Sequence, residues 1–323
     1  MQRTFLAAFF ALVNVMSATA ATKQLPISAL PMISKVAVPA GPGWLGVGFG
    51  SVWLSKSESD VLLRIDPATS KVVATIPVGP DPELGIGIGL GSVWIADTQE
   101  RSLRQIDPAT NKVVHTFPVK ISEEPEGSIG VGAGSIWLLT NENGTDSGTL
   151  SRFDPVMGKV IANIKVKPKS YAVVVEGESV WVTNSADASV MRIDAHANTV
   201  VADIPVRASP RFLAAGEGGI WVLSQSDGSL ARIDPATNRV SATIAVDVPG
   251  PGGDLWVEDG IVWVSGEAVP ISLVDPKTNT LIKQFAGGEK DDTLRVGFGA
   301  VWVVEELTGQ IWKVSVKRLK QRP

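Results

Sequence analysis

Apolar and polar residues alternate along this chain in short runs, and Gly, Pro, Asp and Asn separate one run from the next. Gly219-Ile-Trp-Val-Leu-Ser and Ser229-Leu-Ala-Arg-Ile-Asp are typical, and their period of two predicts half-buried β-strands. The runs belong to a larger repeat. The frame Gly-Ser-Val-Trp, or a close variant, recurs at Trp53, Trp94, Trp137, Trp181, Trp221, Trp263 and Trp302, at separations of 41, 43, 44, 40, 42 and 39 residues. Four strand-like segments in a unit of that length predict a propeller blade. The expected fold is therefore all-β, a seven-bladed β-propeller of four-stranded blades. Blades bury their faces only against neighbours, so the 323 residues are read as one closed body rather than two domains.

The fifth unit displays the pattern most clearly. Residues 211–216, 219–224, 229–234 and 239–246 are its four predicted strands, innermost first. Asp234-Pro-Ala-Thr-Asn joins the last two: aspartate caps the turn, proline presets φ, and asparagine tolerates a left-handed conformation. The hairpin recurs after Asp66, Asp107 and Asp275 and has drifted after Asp154 and Asp194. These aspartates sit at outer turns with a local backbone role, so they are read as scaffolding rather than a metal array. Arg64, Arg104, Arg152, Arg192 and Arg232 precede the turns, and a pairing within or between blades is expected for them.

The seventh unit ends one strand short, with predicted strands at 293–298, 300–305 and 310–316. The missing outer strand is found at the other end of the chain, where residues 33–40 match the outer-strand pattern of Val73-Ala-Thr-Ile-Pro-Val. Pairing the two closes the ring and removes exposed edges. The expected division is a signal peptide over 1–20, a mobile leader over 21–32, the propeller over 33–316 and a solvated basic tail over 317–323. Arg3, the apolar stretch 5–16 and Ala18-Thr19-Ala20 carry the signal-peptide reading and with it a periplasmic or secreted location. No later segment has the length and apolarity of a transmembrane helix.

The absence of cysteine leaves burial and ring closure as the sources of stability, and removes thiolate chemistry. Cleavage after Ala20 would leave 28 basic and 33 acidic residues, a net charge of −5, which argues against a nucleic-acid surface. A monomer is expected, with a protein or small molecule as partner.

Trp181-Val-Thr-Asn, followed by Val190-Met-Arg-Ile-Asp and Val200-Val-Ala-Asp-Ile-Pro-Val, resembles the YVTN β-propeller repeat with tryptophan in place of tyrosine. The Ile-Trp-Val and Arg-Ile-Asp-Pro-Ala-Thr cadence is similar to the streptogramin (virginiamycin B) lyase group of seven-bladed propellers. That resemblance implies metal-assisted elimination, with a histidine before an innermost strand and glutamates ending Trp-Phe-Thr-Glu segments. The corresponding positions here depart from it. Gly43, Leu84, Gly127, Tyr171, Arg211, Gly253 and Asp292 precede the innermost strands. Lys56, Asp97, Thr140, Asn184, Ser224, Gly266 and Glu305 stand three after the repeat tryptophans, so two carboxylates remain. The two histidines, His115 and His196, fall in an outer strand and an outer turn.

Seven sets of loops converge on one mouth, which is where a propeller presents its varied residues. The ligand-binding candidates there are Trp44, Glu83, Asp97, Glu126, Tyr171, Asn184, Arg211, Asp254, Asp292, Arg295 and Glu305. Arg211 or Arg295 beside Tyr171 suits bidentate capture of a carboxylate. No cofactor is expected, although carboxylates from several blades are hard oxygen ligands of the kind Ca²⁺ or Mg²⁺ takes. The expected function is an exported, non-catalytic propeller that binds a protein or small ligand at this face. The alternative is a metal-dependent lyase or lactone hydrolase that uses Glu83, Glu126, Asp97, Asp292 and Glu305, with Arg211 or Tyr171 holding the substrate.

Overall fold

The computed structural model describes residues 24–39, 43–56, 59–79, 85–122, 129–141, 148–288 and 291–321, with backbone alone for Lys56, Asp291 and Asp292. These residues form seven sheets, each containing four antiparallel strands in meander order. The fifth blade comprises Pro210–Gly216, Gly219–Ser224, Ser229–Asp234 and Arg239–Ala245, within one residue of the spans expected at each strand end. In the seventh, Met32–Ala37 pairs antiparallel with Gln310–Ser315, placing Val36 opposite Ile311. The N-terminal strand therefore closes the ring.

Each repeat tryptophan is fully buried between blades. Six of them also donate the indole N–H to the carbonyl five residues earlier, at 3.0 to 3.2 Å: Trp53, Trp94, Trp137, Trp221, Trp263 and Trp302. That bond ties the second strand to the end of the innermost one. Small residues on the innermost strands let successive blades approach closely. A Cβ on Gly48 would stand 2.4 Å from Ile88 Cγ2 of the next blade.

The repeat arginines connect blades. The guanidinium of Arg64 lies 4.9 Å from the Trp53 ring centre, while its Nε donates to Ser51 at 2.8 Å. Its Nη1 reaches the second blade's hairpin, donating to Pro108 O and to Asn111 Oδ1. Arg152, Arg192 and Arg232 repeat the reach to Asn198, Asn238 and Asn279. Lys313 of the seventh blade donates to Pro67 O of the first. Arg104 pairs within its own blade instead, with Asp97 at 2.9 Å. It stands one residue earlier relative to its aspartate, so strand alternation turns it to the opposite face, and Gln105 takes the position across from Trp94.

Both ends depart from expectation. Within the expected leader, Gln24–Pro26 pairs parallel to Thr280–Ala286 as a fifth strand on the sixth blade, and Leu30 is buried. Apolar Leu25, Ile27 and Leu30 find a packing surface there, so the segment is ordered by burial. At the other end Val316–Leu319 forms a short helix capped by Ser315, with Val316 and Leu319 buried. Lys320 Nζ donates to Asp259 O at 2.5 Å, so residues 317–320 are docked rather than freely solvated.

Candidate ligand-binding face

Three blades bring side chains together over one end of the central channel. Trp44 is the second residue of Gly43–Gly48 in the first blade, and its ring reaches across the channel to within 6.2 Å of Phe212 in the fifth. Tyr171 of the fourth blade meets the same phenylalanine edge-on, at 6.3 Å and 85°. Arg211 lies on these rings, with Cζ 4.2 Å from the Tyr171 centroid and 5.7 Å from that of Phe212. Its Nη1 donates to Pro251 O at 2.9 Å and to Gln225 Oε1 at 3.4 Å, while Nη2 donates to the Tyr171 hydroxyl. Contacts from three blades thus fix the guanidinium.

A second charged group lies next to this aromatic layer. Asp254 is buried and pairs with Arg295 of the seventh blade, whose guanidinium stacks 4.6 Å from the Trp256 ring centre. Asp254 also accepts backbone N–H groups of Leu255 at 2.8 Å and Leu294 at 3.1 Å. Burial pushes its carboxyl above the ordinary aspartate value, opposed by the Arg295 charge and the two amides. The pair joins blades six and seven at the channel wall.

Cavities open around these groups. The channel itself encloses about 360 Å³, between inner-strand residues and Trp44, Phe212, Asp254, Trp256 and Arg295. A recess of about 190 Å³ lies on one side of Arg211, bounded by Trp44, Phe212, Pro251, Glu267, Thr293 and Glu306. Another of about 260 Å³ lies on its other side, bounded by Lys169, Tyr171, Ser185, Ser209 and Gln225. Arg211 and its aromatic bed separate the two recesses.

The structure thus brings together five of the expected residues: Trp44, Tyr171, Arg211, Asp254 and Arg295. It gives three others a local role, at the end of the second strand of a blade. Asp97 accepts the Glu100 N–H at 2.8 Å, Asn184 accepts the Asp187 N–H at 2.8 Å, and Glu305 accepts the Thr308 N–H at 3.2 Å. Each caps the turn that follows it. Asp97 is further engaged by Arg104 at 2.9 Å, and both are buried. Glu83 and Glu126 lie outside the described residues, and Asp292 is placed by its backbone only.

Phe212, Trp256 and Gln225 complete the cluster and were not anticipated. A signal for Trp256 existed, since three of the ten tryptophans stand outside the repeat frame and two of those, Trp44 and Trp256, lie on innermost strands. Among the described residues no three His, Asp or Glu side chains are grouped as a metal site. His115 lies in the outer strand Lys112–Pro118 and His196 in an exposed outer turn.

No protein-family model matches the chain, and no curated protein sequence matches it. Its fold is similar to that of selenomethionine-substituted virginiamycin B lyase from Staphylococcus aureus, with a TM-score of 0.70 and 15% identity. It is likewise similar to a catalytically inactive histidine-to-alanine variant of virginiamycin B lyase from Staphylococcus aureus with quinupristin, at a TM-score of 0.73 and 13% identity. Both alignments cover 87% of this chain and 98% of the lyase chain. The likeness is one of fold: a seven-bladed propeller.

Proposed function

We propose that this chain is an exported, non-catalytic propeller that binds a carboxylate-bearing small molecule or peptide at the mouth, with Arg211 as its anchor. The observation that carries the reading is the guanidinium of Arg211, held over Tyr171 and Phe212 between two recesses. The Arg211 guanidinium offers a positive charge to a carboxylate at the mouth, and the surrounding rings offer flat apolar surface to the rest of the ligand. Preorganisation lowers the ordering cost of binding. The virginiamycin B lyase variant with quinupristin supports a small-molecule role for this architecture.

The non-catalytic part rests on the proton carriers. Both histidines occupy outer positions, and of the candidate carboxylates, Asp97, Asp254 and Glu305 are engaged by arginine or by backbone amides, which leaves Glu267 and Glu306 as the acidic groups lining the recess beside Arg211. Export rests on the sequence of residues 1–20.

The test is a thermal-shift and calorimetric screen of aromatic carboxylates and peptides with a free C-terminus, against the wild type and Arg211→Ala. A ligand that raises the wild-type melting temperature but not that of the variant supports the reading. Equal shifts in both proteins, or no shift with any carboxylate, overturn it. Turnover of a lactone in the same screen would put the lyase or hydrolase alternative in its place.

A further inference from the structure

The opposite end of the channel is ringed by the seven turns that join innermost to second strands. Six of these turns have two central residues with positive φ, the second always glycine. Such turns favour Asn, Asp or Gly at the first position, because a bulky side chain there crowds the backbone. This chain instead places Phe298, Phe49 and Leu90 there, at φ of 56°, 50° and 50°. They belong to three consecutive blades, since Gly297 abuts Val47 and Gly48 abuts Ile88 across the blade boundaries. All three side chains are 40–48% exposed, too open for core packing to account for the choice.

Around the other half of the same rim the turns are acidic. Glu176 and Glu178 flank the turn of the fourth blade, Glu217 begins that of the fifth, and Glu258 and Asp259 lie in the sixth. All are exposed. Burial, and then the neighbouring charges of Asp259 and Glu217, raise the Glu258 carboxyl above its ordinary value, and Arg232, which donates to the Glu217 and Gly218 carbonyls, is a cation at the base of the fifth-blade turn. At the edge of this arc Lys320 Nζ donates to the backbone carbonyl of Asp259.

We propose that this rim is a docking surface for a protein segment that carries bulky apolar side chains flanked by lysine or arginine. The apolar arc would take the hydrophobic side chains and the acidic arc the cations, a division that fixes orientation as well as partner class. An anionic membrane would be repelled by half of the rim. A second copy placed face to face would bring acidic arcs together in any register that also joins apolar ones.

The experiment uses three labelled synthetic peptides, Leu–Lys, Ser–Lys and Leu–Glu amphipathic sequences of equal length, titrated into the mature protein and followed by anisotropy. The Leu–Lys peptide should bind at least about tenfold more tightly than either control. The double variant Phe49→Asn with Phe298→Asn should lose about tenfold in affinity, as should Glu176→Gln with Glu217→Gln. Asparagine suits positive φ, so the first variant should keep or raise its melting temperature, whereas a purely structural role would lower it. Wild-type affinity in both variants, equal binding of Ser–Lys, or a fall in melting temperature on Phe→Asn overturns the proposal. So does a sedimenting dimer that Phe49→Asn converts to monomer, since a second copy would then own the face.

Discussion

Arg192 of the fourth blade donates to Asn238 Oδ1 of the fifth at 2.9 Å, and to Pro235 O beside it at 2.6 Å. The same guanidinium stacks on Trp181 at 5.1 Å and donates through Nε to Ser179 at 3.0 Å. One side chain therefore joins the serine and tryptophan of its own blade to the turn of the next. Where the arginine is absent, the receiver differs as well. Gln105 takes the arginine's place in the second blade, where the third-blade turn carries Gly158 instead of asparagine, and Leu273 takes it in the sixth, where the seventh blade has no such hairpin because its outer strand comes from the N-terminus. Lys313 faces Ser70 in place of asparagine and bonds the Pro67 carbonyl alone.

Removing this link should be costly. Arg192→Ala is expected to destabilise by about 2 kcal/mol, the scale of a charge-assisted hydrogen bond to a partly buried acceptor. A double-mutant cycle with Asn238→Ala should give a coupling of about 1 kcal/mol by chemical denaturation. Strict additivity of the two would mean that the contact contributes nothing to the join between blades.

The sequence made this architecture legible because the device is repeated: the serine, tryptophan, arginine and Asp-Pro-Ala-Thr-Asn turn recur in register. The exception, Arg104, differs by a single residue of offset, and strand alternation converts that shift into a change of face. The docking of Gln24–Pro26 was hidden because three residues carry no period, and its parallel pairing depends on an edge formed more than 250 positions later. At the mouth, Tyr171 and Arg211 stood out as departures from the repeat. Phe212 did not, because a phenylalanine on a strand reads as core. That Asp97, Asn184 and Glu305 cap their own turns depends on a backbone N–H three residues on, which composition cannot reveal.

Trp181 differs from the other repeat tryptophans in one respect: among the described residues its buried indole N–H has no hydrogen-bond partner. Trp181→Phe should therefore cost about 1 kcal/mol less than Trp221→Phe, whose N–H donates to Gly216 O at 3.1 Å. Paired urea melts measure the difference. Equal losses would show that burial alone sets the contribution of this position.

The turn aspartates make stability depend on acid pH. Backbone N–H groups inside the turn, from Ala68, Ala109, Ala197, Ala236 and Lys277, are the largest cause holding Asp66, Asp107, Asp194, Asp234 and Asp275 below the ordinary 3.8. A carboxyl whose folded pKa is depressed adds stability above its unfolded value and loses it as pH falls through the folded one. Asp254 and Glu258 are raised, so their contribution has the opposite sign and weakens as pH rises past the ordinary carboxylate range. The five turns outnumber these two, and stability should fall as pH drops below about 4. Replacing Asp66, Asp107 and Asp234 by asparagine should flatten that fall, and an unchanged pH profile would exclude the turns as its source.

The two N-terminal strands should contribute unequally. Met32–Ala37 supplies the only outer strand of the seventh blade and buries Val36 against its neighbours, whereas Gln24–Pro26 adds a fifth strand to a blade that already has four. A chain beginning at Leu30 keeps ring closure and should melt only a few degrees below the full mature protein, at about 1–2 kcal/mol of lost packing. A chain beginning at Val38 exposes the Gln310–Ser315 edge and reopens the ring between the last blade and the first. Because each blade is stabilised mainly by its neighbours, that loss should spread around the ring and lower the melting temperature by more than about 10 °C, in one cooperative transition. Calorimetry of the two truncations decides the matter: equal melting temperatures would transfer the closing role away from Met32–Ala37, and a separate early transition in the shorter chain would mean that the seventh blade unfolds alone.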